Sequence, residues 1–214
     1  MNKRTYYQLI LDRSGSMSSC IEQTVEGVNN QIHRIKEVAE KFPEQELFTS
    51  LTLFNHDVVQ VWTRKTIGEL KELSYSDYRP DGTTSLLDAI GFSIKSLQDS
   101  IGKEVAQNLA SVVVVIITDG YENSSTTYQL NQINKIIDEL EKTGKWTFSY
   151  IGTTIDTYEV ASTLSIKRGN TMLYDLNETS SMYHKLSNNF MNYVKLKDSG
   201  IIESEFLANE DEDE

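Results

Sequence analysis

Oxygen-bearing side chains occupy every second position in the stretch LILDRSGSM, Leu9 to Met17: Asp12, Ser14 and Ser16. On extended chain, an i, i+2, i+4 spacing sends all three to the same side. Two more segments carry the same chemistry. Thr83, Thr84 and Ser85 lie in PDGTTSLLDAI, and Asp119 lies in ITDGYEN, with Gly120 behind it to turn the backbone. Two carboxylates and several hydroxyls, with no imidazole or thiolate among them, make a hard oxygen donor set. Such a set suits Mg²⁺, Mn²⁺ or Ca²⁺ and does not suit Zn²⁺. Asp12, Ser14, Ser16, one threonine and Asp119 would leave at least one position of an octahedral ion open. Each segment alone has a plainer reading. Asp-x-Ser-x-Ser can cap a helix, Asp-Gly is an ordinary strand-to-loop turn, and the threonines can simply start a helix. Only the three together point to a shared ion.

They can meet only if the intervening elements bring them together. Tyr6–Leu11 reads as a strand, and Ile21, Val25, Val28, Ile32, Ile35, Val38 and Phe42 form one helical stripe closed by Pro43. Leu47–Phe54 and Val58–Trp62 are strands joined by Asn55-His56-Asp57, a connection short enough for an antiparallel hairpin. Ile67, Leu70 and Leu73 suggest a short helix before the loop of residues 75–84, and Leu86 to Ile101 a long one. The run VVVVIIT, Val112–Thr118, is apolar on both faces, as strands covered on both sides are. A helix through Leu130–Leu140, a strand Trp146–Ile151, a short helix near Tyr158–Leu164, a strand Thr171–Tyr174 and a helix carrying Met182, Leu186, Phe190 and Val194 follow. This alternation predicts a doubly wound α/β fold: a mostly parallel sheet with one antiparallel edge strand and helices on both faces. Ligands bind such sheets beyond the carboxyl ends of the strands. Asp12 and Asp119 stand at two of those ends.

Asp-x-Ser-x-Ser after the first strand, the threonine loop before a helix, and Thr-Asp-Gly after the fourth strand resemble the von Willebrand factor type A (vWA) family. DRSGSM and ITDG match patterns common in its bacterial members, and the likeness spans roughly Thr5 to Val194. The resemblance implies a Rossmann-like fold and a metal-ion-dependent adhesion site (MIDAS). In the family the serines and threonine bind the ion through hydroxyls, the aspartates act directly or through water, and a partner's carboxylate often completes the coordination. Both Thr83 and Thr84 stand near the required place; alignment with the family's Gly-Gly-Thr-Pro-Leu sets Thr84 as the metal threonine, with Thr83 replacing a glycine and Ser85 the proline. The implied metal set is Asp12, Ser14, Ser16, Thr84 and Asp119, and the implied cofactor a divalent cation, Mg²⁺ first and Mn²⁺ or Ca²⁺ after it. The implied function is metal-dependent binding of a protein that presents an Asp or Glu. Family members also serve as scaffold or assembly subunits, for example of ATPase or chaperone complexes, where the ion would be structural.

Electrostatics supports an open site independently of the family. Two directly bound aspartates would neutralise a divalent charge, whereas an Asp119 held behind water leaves the ion electrophilic toward an incoming carboxylate. Arg13 either pairs with that same acid or lies along the surface. Tyr121, Glu122 and Asn123 are read as shaping the partner surface, and His56 with Asp57 as rim residues. No catalytic residues are expected. Mg²⁺-dependent phosphotransfer would need a second acid where Ser14 stands, and neither a phosphate-cradling glycine loop nor a Gly-x-Ser-x-Gly elbow occurs.

Composition sets the outer bounds. The 214 residues carry a net charge of −12, poorly suited to nucleic acid. No apolar run approaches the ~20 residues of a membrane span, and the N-terminus does not read as a signal peptide. One cysteine, Cys20, rules out an internal disulfide framework and fits a cytoplasmic location. The chain reads as a single domain over residues 1–200, with an acidic, unfolded tail over 201–214. That tail holds seven acids and no base. Fully extended, its 14 residues would span roughly 45 Å, enough to carry an acid to the metal site of the same chain or of another copy. The simpler reading is a solubilising appendage.

Overall fold

The computed structural model describes residues 3–202 and 204–207. Six strands form one sheet: β1 (Arg4–Asp12), β2 (Glu46–Phe54), β3 (Val58–Thr66), β4 (Ala110–Thr118), β5 (Trp146–Gly152) and β6 (Thr171–Leu173). Their order is β3-β2-β1-β4-β5-β6, parallel throughout except for the β2–β3 hairpin at one edge. The fold is therefore the doubly wound, mostly parallel α/β architecture with an antiparallel edge strand. Five helices cover it: α1 (Ile21–Lys41), α2 (Leu86–Ala106), α3 (Leu130–Glu141), α4 (Thr157–Thr163) and α5 (Thr179–Asp198).

Alternation along the central strands builds a core on each face. In β1, Tyr7, Leu9 and Leu11 pack with α1 and α5, while Tyr6 and Ile10 pack with α2 and α3. β4 divides likewise, Val113, Val115 and Ile117 to one face and Val112, Val114 and Ile116 to the other, so every residue of the strand is buried. Such burial makes VVVVIIT continuous instead of alternating. Between α1 and α5 the contact is close: a β-carbon on Gly27 would lie 2.0 Å from the Tyr183 ring.

Three expectations change in detail. The short helix expected from Ile67, Leu70 and Leu73 is a single 3₁₀ turn, Ile67–Glu69; Leu70 and Leu73 are buried from irregular chain beyond it. β3 continues four residues past Trp62 to Thr66, helped by Ser50 Oγ accepting the Arg64 N–H at 2.8 Å. The tail expected to be unfolded from Ile201 is held by the domain at 204–207. The buried Asn170 donates to the Ser204 carbonyl at 2.8 Å and accepts the Phe206 N–H at 2.6 Å. Phe206 and Leu207 are buried, with the Phe206 ring 6.2 Å from Tyr7 and 6.1 Å from Tyr193. Two apolar residues in an acidic stretch are what anchor it. The acidic run Glu210–Glu214 lies outside the described residues. With Leu207 fixed, any tail reaching for the crest starts at residue 208 and not at 201.

Candidate metal centre

β1 delivers Asp12 to the crest of the sheet, fully buried. Its Oδ1 accepts the Ser14 N–H and its Oδ2 the Thr118 hydroxyl, both at 2.6 Å, and its carbonyl accepts the Tyr78 hydroxyl at 2.7 Å. Ser14 remains extended, with φ −66° and ψ 168°, and the chain then coils into 3₁₀ turns over Gly15–Cys20. The i, i+2, i+4 alternation thus stops at Ser14. A turn, not a strand, brings Ser16 back: the Ser14 and Ser16 Oγ atoms lie 3.1 Å apart, and Ser16 donates to Asp119 Oδ1 at 2.6 Å.

Thr84 comes from the loop entering α2 and is buried, whereas Thr83 is exposed. Asn123 fixes Thr84 from the facing loop, accepting its N–H at 2.9 Å and donating a backbone N–H to its carbonyl at 3.1 Å. Gly120 shows how far the three segments converge. A β-carbon there would lie 3.2 Å from Thr84 Oγ1, 3.7 Å from Ser16 Oγ and 3.8 Å from Asp12 Oδ2. One point beside Gly120, at the β4 end, thus faces oxygens from the end of β1, the turn after it and the threonine loop.

The charges in this pocket are uncompensated. Burial pushes Asp12 up to about 6, against the lowering effect of the hydrogen bonds from Thr118 and Ser14. Burial also raises Asp119, opposed by the Ser16 hydroxyl. Among the described residues no lysine or arginine relieves either group; a cation here would. Among the described residues no cluster of three or more His, Cys, Asp or Glu side chains converges. The donors at the crest are two carboxylates and three hydroxyls, a set that fits a hard divalent cation.

A second layer holds the loops. Gly15 donates to the Gly82 carbonyl at 3.1 Å and Asp81 to the Arg13 carbonyl at 3.0 Å. Gly82 has φ +69°, and a β-carbon there would meet His56 Nδ1 at 2.2 Å, so both conformation and space require glycine. Glu122, expected at the partner surface, turns inward. It accepts the Leu87 N–H at the start of α2, the Ser124 and Ser125 N–H groups, and the Ser125 hydroxyl. Asp88 in turn accepts the N–H groups of Thr126, Thr127 and Tyr128. Of the three residues after Gly120, Tyr121 alone sends its side chain outward without such a task; it is 54% exposed and bonds Asp156 at 3.1 Å. Arg13 Nε is buried without an acceptor among the described residues. His56 and Asp57 stand on the β2–β3 side of the crest, while His33 and His184 line a separate groove between α1 and α5. Sequence reading missed Thr118, Tyr78, Asp88 and the inward roles of Glu122 and Asn123. Only Thr118, beside Asp119 at a strand end, carried a positional signal.

A profile of the von Willebrand factor type A domain matches residues 8–189. No curated protein matches the chain. Among solved structures, the pilus adhesin SpaC from Lactobacillus rhamnosus GG aligns with a TM-score of 0.67 at 11% identity, over 88% of this chain and 30% of its own. PilB minor pilin from Streptococcus sanguinis aligns at 0.63 and 11% identity, over 89% of this chain and 62% of its own. The von Willebrand factor type A protein from Catenulispora acidiphila aligns at 0.54 and 13% identity, over 88% and 43%. The chain thus spans less than two thirds of each of these proteins, and at such identities they speak for the fold alone. Sheet order, hairpin edge and profile agree: this chain belongs to the von Willebrand factor type A domain family.

Proposed function

We propose that the chain is a divalent-cation-dependent protein-binding module. Asp12, Ser14, Ser16 and Thr84 hold the ion, Asp119 acts through a bridging water, and the outward face accepts an Asp or Glu of a partner protein. The observation that carries the reading is the convergence of Thr84, Ser16 and Asp12 oxygens beside Gly120, within 3.2–3.8 Å of one point. Buried carboxylates lacking a counter-charge supply the attraction for the cation. An ion only partly neutralised in a half-dehydrated cleft supplies the attraction for the partner's acid. The Ser16 hydroxyl is engaged with Asp119 and no histidine stands among the donors, which supports binding over catalysis. Mg²⁺ is the proposed cellular ion, and the cytoplasm the proposed compartment.

Calorimetric titration of Mn²⁺ into the purified protein tests the ion, beside Asp12→Ala with its fold checked by circular dichroism. Saturable one-site binding that disappears in the folded variant is expected. Indistinguishable heats from the two proteins would overturn the reading. Chelation that unfolds the domain as well would reassign the ion to a structural role.

A further inference from the structure

An open groove of about 660 Å³ runs beside the candidate metal centre, away from the hairpin edge. Ser19, three residues beyond Ser16, lines it, as do Thr153, Leu173 and Leu176. Thr153 joins groove to centre, donating to the Asp119 carbonyl at 3.4 Å. Two features of the surroundings are independent of the metal ligands. The first is apolar: Ile155, in the β5–α4 loop, is 95% exposed, Leu173 at the end of β6 is 45% exposed, and Tyr121, two residues past Asp119, is 54% exposed and bonds Asp156 beside Ile155. An isoleucine with almost all its surface in water on a short loop contributes nothing to the core. The second is charge. Asp175 and Glu178 line the groove, and Asp156 adjoins Ile155, its carboxyl held below the usual range by the Thr154 and Tyr121 hydroxyls.

Resting on the function proposed above, we infer that the partner's metal-binding acid lies in an extended segment of mixed character. A large apolar side chain within two residues of the acid enters the groove, and lysine or arginine flanks face Asp156, Asp175 and Glu178. In extended chain, side chains two residues apart point the same way at about 7 Å spacing, so one segment can fill ion and groove together. The same three acids select against a run of acids. The chain's own Glu210–Glu214 is therefore the wrong occupant, in cis or in trans, although it offers carboxylates.

Fluorescein-labelled peptides titrated by anisotropy in saturating Mn²⁺ test this. The parent is GKLGDGLKG; the controls replace both leucines by alanine, both lysines by glutamate, or the aspartate by asparagine. The parent is expected to bind at least ~10-fold tighter than each control, consistent with burying one leucine-sized side chain. Ile155→Asp with Leu173→Asp should remove the leucine preference and leave calorimetric Mn²⁺ affinity unchanged; the milder Ile155→Ala, at an exposed position, should weaken it partially. Equal binding of parent and alanine control, tighter binding of the glutamate control, no parent binding at millimolar concentration, or an undiminished preference in the variants would each overturn the inference. Absent Mn²⁺ binding would instead overturn the metal reading on which it stands.

Discussion

Gly120 has no side chain, and that vacancy is where the oxygens meet. A methyl group there would lie against Thr84 Oγ1, 3.2 Å away, and crowd Ser16 and Asp12. Gly120→Ala is expected to cut Mn²⁺ affinity by roughly tenfold or more while changing the melting temperature by only a few degrees, measured by calorimetry and thermal denaturation. Asp12 makes a complementary prediction. Its folded value of about 6 lies above its unfolded 3.8, so the metal-free fold binds the proton more tightly than the unfolded chain does. Its favourable contribution is present below pH 3.8 and lost as pH rises through 6. In chelator, Asp12→Asn should therefore be more stable than wild type at pH 7, by up to roughly 3 kcal/mol, with the gap closing near pH 4. Metal affinity of the wild type should weaken as pH falls below about 6, as protons compete for the carboxylate. Chemical denaturation at several pH values, with and without Mn²⁺, reads both effects.

Among elements, the α1–α5 contact is the tightest. Gly27 lets the Tyr183 ring rest on the α1 backbone, and no rearrangement of a terminal methyl accommodates a β-carbon 2.0 Å from an aromatic ring buried on all sides. Gly27→Ala is expected to destabilise by about 1–3 kcal/mol in denaturant titration despite alanine's better helix propensity. Nothing in IEQTVEGVNNQIHRI marks that glycine, because its partner lies far along the chain. The same holds for Asp88 and Glu122, whose acceptors' tasks arise only when the loop after β4 folds over the start of α2. By contrast, the strands, the long helices and the antiparallel hairpin were legible, since each follows from local periodicity and short turns. That the three oxygen-bearing segments would meet was legible because strand ends in this fold class share one crest. What periodicity could not give was the 3₁₀ coil that returns Ser16 to Asp119, or which of Thr83 and Thr84 faces inward. Phe206 and Leu207 were overlooked for a similar reason: two apolar residues among acids have no period.

At the scale of the molecule, the buried Lys197 is the least expected charge. Its Nζ donates to the Arg4 carbonyl at 2.5 Å and to Thr5 Oγ1 at 2.7 Å, tying the end of α5 to the start of β1, and no carboxylate among the described residues pairs with it. Burial lowers it from 10.5 to about 7. The unfolded chain therefore binds more protons than the fold between those values, and stability gains from this group as pH rises from 7 toward 10. Lys197→Met should be more stable than wild type at pH 7 by a few kcal/mol, and the two should approach one another at pH 10. Equilibrium urea titrations at both pH values decide it. Asn170, gripping the backbone at Ser204 and Phe206, has a practical consequence of another kind. It fixes the exit of the chain beside Tyr7, five residues or roughly 16 Å down β1 from Asp12. Replacing that one side chain, as in Asn170→Ala, would release both backbone contacts at once and uncover the Tyr7 and Tyr193 rings on which Phe206 sits.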